Sequence, residues 1–170
     1  MAVPLAELNA CDAARFVAVC GPLYEHSPWV AARAFALRPF VSLAALHEAL
    51  VAAVRESTPD EQLALIRAHP DLVGRLAREG RLTAAYTGEQ AAAGLAALDP
   101  DEVAAFERFN EAYRDRFGFP FVICARENRK DAILAAFPVR LAHTVEEERI
   151  AALVEIGRIG WLRLCDAVRE

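Results

Sequence analysis

Apolar residues recur along most of the chain at the spacing of an amphipathic helix. Leu46, Leu50 and Val54, for example, fall on one helical face. Proline ends such runs, because the residue before a proline is pushed out of the helical region, as His69 is before Pro70. The pattern predicts about eight helices, near residues 5–19, 28–37, 42–56, 59–68, 71–79, 88–98, 100–117 and 128–168, the last one broken around 143–144.

Helix-start signals recur at five places. In each, a hydroxyl or carboxylate side chain precedes a proline or stands three residues before a glutamate or glutamine, and such side chains cap the free N–H groups of a helix start. The predicted caps are Ser27, Thr58, Asp99, Thr144 and Thr87, the last with Gln90 as its partner.

The segment from Phe119 to Cys124 breaks the helical pattern. It is continuously apolar, follows Gly118 and is too short for a helix of its own. We predict a short extended stretch near 119–125, buried in the core without a partner strand. Its buried amides and carbonyls need hydrogen-bond partners, which either neighbouring helix ends or a polar ligand would supply.

The composition agrees with an all-α protein. Hydrophobic residues make up 55% of the 170 residues, and only 8% are aromatic. Much of the hydrophobic fraction is alanine, the strongest helix former. No linker, repeat or low-complexity tract is present. We therefore expect one domain over 1–170, a multi-helix bundle.

Charge and cysteine content bear on partners and location. The net charge of -5 and the pI of about 5.4 disfavour binding to nucleic acid or to an anionic membrane surface. No stretch reaches the roughly 18 apolar residues expected of a membrane span. The four cysteines form no CxxC pair and the last residues form no peroxisomal tripeptide, so we expect a cytoplasmic protein.

Several kinds of catalytic site have no support in the sequence. The four histidines form no HExxH motif, and no pair of them has a cysteine or carboxylate companion at metal-ligand spacing. Walker A, GxGxxG and GxSxG motifs do not occur either. We therefore expect no metal, no bound nucleotide and no serine nucleophile.

His69 is the histidine best placed for chemistry. It ends a predicted helix, and Pro70-Asp71-Leu72 turns the chain immediately afterwards. An imidazole fixed by a rigid turn suits proton transfer near neutral pH. A histidine at a helix end also serves as a simple cap, and its position does not decide between the two roles.

Glu89 and Arg163 are charged residues in positions that need an explanation. Glu89 falls in the first turn of the helix that Thr87 is predicted to cap, where a carboxylate offsets the positive helix end or lies beside free amides that bind a ligand. Arg163 lies on an apolar stripe with Ile156 and Ile159. A guanidinium there reaches out to solvent, pairs with a buried acid or meets a ligand carboxylate.

Short motifs spread over nearly the whole chain occur in one order. They are Glu25-His26-Ser27-Pro28-Trp29, Ala68-His69-Pro70-Asp71-Leu72 with Gly74, Glu89-Gln90, Ala93-Gly94-Leu95, Phe109-Asn110, Tyr113 with Arg116 to Phe121, and Glu155-Ile156 with Arg163-Leu164. Each motif is weak alone. In their joint order and spacing, the chain resembles the family of 2-oxo-4-hydroxy-4-carboxy-5-ureidoimidazoline (OHCU) decarboxylases.

The resemblance implies an all-helical carboxy-lyase of urate breakdown that yields (S)-allantoin and needs no metal or organic cofactor. It assigns catalysis to His69, Glu89 and Arg163. The substrate-binding positions that it implies are Pro70, Tyr86, Thr87, Gly88, Glu89, Gln90, Phe121, Val122, Ile123, Cys124 and Ala125. The family pattern has a serine where this chain has Tyr86, although a phenol also donates hydrogen bonds. Family members tend to be homodimers, and we expect the same here.

Two other classes of function compete with this one. A helical module that binds a small molecule or a partner helix without chemistry is compatible with the alanine-rich faces. A helical DNA-binding regulator is disfavoured by the net charge of -5 and by the absence of a basic recognition helix.

Overall fold

The computed structural model describes residues 2–74 and 84–170. The described residues form nine α-helices, two short 3-10 turns and a pair of two-residue strands. The helices are α1 Leu5–Ala10, α2 Ala13–Cys20, α3 Trp29–Phe35, α4 Leu43–Arg55, α5 Pro59–Arg67, α6 Ala84–Ala92, α7 Pro100–Phe117, α8 Lys130–Leu141 and α9 Val145–Ala167. The 3-10 turns are Gly21–Leu23 and Ala125–Glu127, and the strands are β1 Val3–Pro4 and β2 Val168–Arg169. The predicted all-α class is confirmed.

The first predicted helix, over 5–19, is wrong in one respect because the structure divides it into α1 and α2. Cys11 at the end of α1 is extended. The Asp12 side chain then accepts the N–H of Arg15 at 2.8 Å and caps the start of α2. A single aspartate thus begins a new helix inside a continuous apolar pattern.

Three of the five predicted caps are confirmed. Thr58 and Asp99 each form a capping box with the glutamate three residues later. Thr144 does the same, since its Oγ1 accepts the Glu147 N–H at 3.2 Å while the Glu147 carboxylate accepts the Thr144 N–H at 2.8 Å. The break predicted around 143–144 therefore separates α8 from α9.

The other two predicted caps are wrong. α3 begins at Trp29 without a side-chain cap, and the Ser27 carbonyl rather than its hydroxyl accepts the N–H of Val30 at 3.1 Å. Thr87 lies inside α6, which begins at Ala84. Glu89 is therefore not in the first turn of its helix, and the free amides of a helix start do not lie beside it.

The helix predicted over 71–79 is wrong for residues 71–74, which form a turn, while 75–79 lie outside the described residues. The helix predicted over 88–98 corresponds to α6, which begins earlier, at Ala84, and ends earlier, at Ala92. Gly94 adopts a φ of +81°, which ends the helical conformation two residues after Ala92.

The β1–β2 pair is parallel, with Val3 opposite Val168 and Pro4 opposite Arg169. Nothing in the hydrophobic pattern indicates it, because two residues are too few to show an alternation. No helix in the described part of the chain has the length and apolar character needed to cross a bilayer.

Chain contacts divide the protein into two compact units. The first unit comprises residues 1–68 and 156–170, and the second comprises 69–155. The expectation of one domain over 1–170 stays a prediction. In the first unit, α3 packs against both α2 and α4. The fully buried side chains of this unit include Phe16, Leu46, Leu50, Leu65 and Leu164.

The core of the second unit is aromatic. Tyr113 of α7 lies with its ring edge toward Phe121 at 5.3 Å between centroids, and Phe121 stacks on Phe137 of α8 at 3.9 Å. All three rings are buried. Aromatic contacts of this kind add about 0.5–1.5 kcal/mol each beyond the area that they bury.

A buried ionic network lies beside this aromatic core. The Glu148 carboxylate, fully buried at the start of α9, accepts hydrogen bonds from the Tyr113 hydroxyl and from Arg140 Nε, the latter at 2.6 Å. His143 Nδ1 lies 2.8 Å from the second carboxylate oxygen. Burial, and secondly the bond to Glu148, raises the pKa of Tyr113 far above its usual range, so the phenol stays a proton donor.

We expect Glu148→Gln to lower the free energy of unfolding by about 3–5 kcal/mol, because it leaves the buried Arg140 guanidinium without its counter-charge. Urea denaturation would measure the change. Glu146→Gln is the matched control on the same helix, since the Glu146 carboxylate is exposed in its pair with Arg149 and we expect a much smaller effect. An equal decrease in the free energy of unfolding for the two variants would show that the buried network stabilises the fold no more than an exposed ion pair does.

Candidate active site

His69 is buried in the second unit, with 2% of its surface exposed. α5 ends at Arg67 and Ala68 occupies the C-cap position, so His69 lies one residue beyond the cap. Its neighbour Pro70 is half-buried. Burial of an imidazole in this way removes it from bulk water, where proton transfer to a bound molecule competes with solvent.

The turn after His69 is strained. Val73 adopts a φ of +56°, a left-handed conformation that is unusual for a β-branched residue. Such residues cost about 1–3 kcal/mol and persist only where the surroundings hold them. Gly74 follows, and a Cβ there would lie 2.7 Å from the Cβ of Asp71, so the turn has no room for a larger residue.

Two side-chain amides hold this turn at a single peptide. Asn110 of α7 donates from Nδ2 to the Leu72 carbonyl at 2.8 Å, and Gln90 of α6 accepts the Val73 N–H on Oε1 at 3.2 Å. The peptide between Leu72 and Val73 is therefore held at both its oxygen and its N–H group. Arg114 adds an ion pair, with Nε 2.9 Å from each Asp71 carboxylate oxygen.

Glu89 and Gln90 are both buried on α6, at 7% and 6% exposure, whereas Thr87 and Gly88 are exposed. The bond from Val73 fixes which end of the Gln90 amide is oxygen. Within the described residues, Gln90 Nε2 has no hydrogen-bond partner. A buried amide donor without a partner is costly, and a polar ligand would remove that cost.

The predicted extended segment is confirmed for 119–124, since these residues are buried, lie outside any helix and have no strand partner among the described residues. Ala125 is buried too, but it begins the 3-10 turn Ala125–Glu127. Side chains satisfy part of its backbone. Arg140 Nη1 donates to the Val122 carbonyl at 2.5 Å, and the Cys124 N–H donates to Glu155 Oε2 at 2.8 Å. Within the described residues, the N–H and carbonyl of Ile123 have no such partner.

Arg163 is buried in the first unit, with 6% of its side chain exposed. Its Nη2 lies 3.0 Å from Oε1 of Glu25, which is equally buried, and its Nη1 donates to the Leu23 carbonyl at 3.4 Å. Pairing with a buried acid, one of the three explanations that the sequence left open, is therefore present. A guanidinium has five N–H groups, so one arginine binds more than one acceptor at a time.

The structure distributes the candidate residues over the two units. His69, Pro70, Thr87 to Gln90 and Phe121 to Ala125 lie in the second unit, and Arg163 lies in the first. The side chain of Tyr86 lies outside the described residues. Within the second unit, the turn after His69 and the α6 segment are joined through the bond between Val73 and Gln90.

Four residues that bind the candidate site groups or their backbone were not identified from the sequence: Glu25, Asn110, Arg140 and Glu155. Three of the four belong to motifs that the sequence displays, but a motif does not show what its side chains contact. A buried acid for Arg163 could have been expected from the apolar stripe around it. No local signal indicates that Glu155 binds a backbone amide 31 residues away.

Comparison with known proteins relates this chain to OHCU decarboxylases. Residues 9–165 match the family model described as OHCU decarboxylase. The 2-oxo-4-hydroxy-4-carboxy-5-ureidoimidazoline decarboxylase of Haloferax volcanii is 43% identical over 162 residues, which cover 95% of this chain and 94% of that protein.

Solved structures agree on the class of protein, a predominantly helical one. A crystal structure of (S)-allantoin synthase superposes with a TM-score of 0.76 at 31% identity, covering 98% of this chain and 54% of that chain, so this protein spans about half of its length. The structure of OHCU decarboxylase in the presence of (S)-allantoin matches with a TM-score of 0.68 at 19% identity, over 92% of this chain and 97% of that chain, and supports the fold alone. The chain belongs to the OHCU decarboxylase family.

We expect the Cys124 thiol to be inert, although it belongs to the candidate binding segment. Burial, helped by the nearby Glu127 charge, raises its pKa to about 11, and burial raises the pKa of Cys20 to about 12. Both thiols are therefore protonated at pH values near 8, where a thiolate is needed for alkylation. Iodoacetamide labelling read by peptide mass spectrometry should modify the exposed Cys165 first. Modification of Cys124 as fast as Cys165 would contradict this assignment.

Proposed function

We propose that this chain decarboxylates OHCU in urate degradation and that the product is (S)-allantoin. The observation that carries the proposal is the match to named OHCU decarboxylases over nearly the whole chain. The geometry is compatible with it, because a buried histidine stands at a held turn with a buried carboxylate and a buried amide in the same unit. A helical module that binds ligands without chemistry is not favoured, since the relatives carry the names of enzymes.

The substrate has a hydroxyl and a carboxylate on the same ring carbon, next to a C=N bond. When the bond to the carboxylate breaks, carbon dioxide leaves and the electron pair moves across the C=N bond to the ring nitrogen, which takes up a proton from solvent. The hydroxyl then loses its proton as the ring carbonyl forms, and the neighbouring carbon gains a proton on one face. The ring is its own electron sink, so we propose that the reaction needs no cofactor.

His69 is the group that we assign to proton transfer at the substrate hydroxyl. Its imidazole is the side chain whose ordinary pKa lies closest to neutral pH, and acid-base help of this kind contributes about 10²–10⁴-fold. The held turn at Leu72–Val73 keeps the preceding histidine in one place. Orientation in a buried site supplies the remaining rate enhancement.

Glu89 and Gln90 are assigned to the ureido arm and the ring nitrogens. Carboxylate oxygens accept the N–H groups of a ureido arm, and the unpaired Nε2 of Gln90 donates to a carbonyl. The backbone N–H and carbonyl of Ile123 form hydrogen bonds with an amide group of the substrate in the same way. The remaining substrate-binding positions are assigned by their match to the family. They are Pro70, Tyr86, Thr87, Gly88 and the other residues of 121–125.

Arg163 is assigned to the substrate carboxylate. Its fork of N–H donors suits a planar carboxylate, and the Glu25 pair keeps the guanidinium in one orientation. The same ion pair lowers the net positive charge around Arg163. The arginine therefore orients the substrate carboxylate more than it attracts it from a distance.

His69→Asn should remove most activity, by about 10²–10⁴-fold in kcat, and leave the fold intact, because Asn keeps polarity but cannot transfer a proton at neutral pH. The assay is circular dichroism at allantoin wavelengths after oxidised urate is supplied enzymatically. His26→Asn is the matched control, since His26 is exposed and its φ of +46° is well tolerated by asparagine. Near-normal turnover by His69→Asn would refute the role of His69.

We further propose that the protein works in the cytoplasm as a homodimer. Val145, Ile150 and Val154 support the dimer, because these apolar side chains of α9 are 56%, 53% and 52% exposed. Ile150 and Val154 are four residues apart and share a face of the helix. A cluster of exposed apolar residues is typical of an interaction surface.

Light scattering on the purified chain should give a mass near twice the 18.6 kDa of one chain. A double variant, Ile150→Glu with Val154→Glu, should shift it to the monomer, because buried carboxylates would face each other across the interface. Arg108→Glu, at an exposed position of α7, is the control for added charge, because it changes the net charge by the same amount on another helix. A wild-type protein that is monomeric at all concentrations would end this proposal.

A further inference from the structure

The phenol of Tyr24 is a buried polar group without a partner. Tyr24 is 2% exposed and follows the 3-10 turn Gly21–Leu23 in the first unit. Among the described residues its hydroxyl makes no hydrogen bond. An unpaired buried hydroxyl costs free energy that a phenylalanine at the same place would avoid. A bound molecule that offers an acceptor would remove this cost.

The surroundings of the hydroxyl show what kind of acceptor fits. A Cβ on Gly160 of α9 would lie 3.1 Å from both Cζ and the hydroxyl oxygen of Tyr24, so the phenol lies against the helix at this glycine. Arg163 is three residues further along the same helix and therefore on the same face. Glu25, the residue after Tyr24, forms the ion pair with Arg163. The hydroxyl thus lies in the part of the first unit that holds the buried guanidinium.

The hydroxyl is a donor under all working conditions. Burial raises the pKa of Tyr24 far above its usual range, so the proton stays on the oxygen. The neutral phenol packed against Gly160 and the guanidinium of Arg163 are both hydrogen-bond donors. Two donors of this kind suit an anionic oxygen group, and a carboxylate takes up both.

We propose that the Tyr24 hydroxyl is a substrate-binding group that, together with Arg163, donates a hydrogen bond to the carboxylate that the reaction removes. The inference rests on the proposed function, because it takes the substrate carboxylate to be the anion that Arg163 meets. It adds a residue that binds the substrate but not the product through this contact, since (S)-allantoin no longer carries the carboxylate.

Tyr24→Phe is the direct test, because it removes only the hydroxyl oxygen. We expect kcat/KM for freshly generated OHCU to fall about 10–100-fold, the range for a hydrogen bond to a charged group. The inhibition constant of (S)-allantoin should stay unchanged, because the product lacks the group that the phenol contacts. Thermal stability should stay equal or rise, since no internal hydrogen bond is lost.

Tyr113→Phe is the matched structural control. Its hydroxyl donates to Glu148 inside the second unit, so its loss should lower the melting temperature, the opposite of the expectation for Tyr24→Phe. This contrast shows whether an activity loss comes from a missing substrate contact or from a weakened fold.

The outcomes separate the inference from the proposed function. If the wild-type chain does not speed carbon dioxide release from OHCU, the proposed function itself fails. If the wild type is active and Tyr24→Phe keeps its kcat/KM, the role of the hydroxyl is overturned. Equal weakening of OHCU and (S)-allantoin would also overturn it, because the contact would then be to a part that both molecules share.

Discussion

The peptide between Leu72 and Val73 is the constraint on which the candidate site of the second unit depends. A β-branched residue in the left-handed region is unfavourable by itself, and it persists here because both polar atoms of the preceding peptide are held by side chains. Asn110 and Gln90 come from different helices, so their bonds also tie α7 and α6 to the turn. The position of His69, three residues before Leu72, follows from this arrangement.

The same principle operates at the extended segment. An irregular buried backbone cannot satisfy its own polar groups, so side chains from other elements do it instead. Arg140, whose guanidinium is bound by Glu148, donates to the Val122 carbonyl, and Glu155 accepts the Cys124 N–H. Both carboxylates lie in the first half of α9. This half of the helix therefore determines the shape of a segment that the proposed function assigns to the substrate.

Four buried polar atoms among the described residues remain without hydrogen-bond partners: Tyr24 Oη, Gln90 Nε2, Asn110 Oδ1 and Arg140 Nη2, the last of which still forms an ion pair with Glu148. Each belongs to a side chain that is otherwise well packed, or bonded through its other atom. Native proteins leave few such atoms, because each one costs free energy. Their presence beside the candidate residues is the pattern expected where a polar molecule completes the structure.

The sequence by itself determined the helical class, most helix positions, three of five caps and the buried extended segment, because periodicity and capping are local properties. Only the tertiary structure decided that Thr87 lies inside a helix, that α1 and α2 are separate, and that residues 71–74 form a strained turn. It alone showed the partners of Arg163, Val73 and Cys124, which lie 138, 17 and 31 residues away along the chain. A pattern along the chain carries no information about such pairs, because packing brings them together and spacing does not.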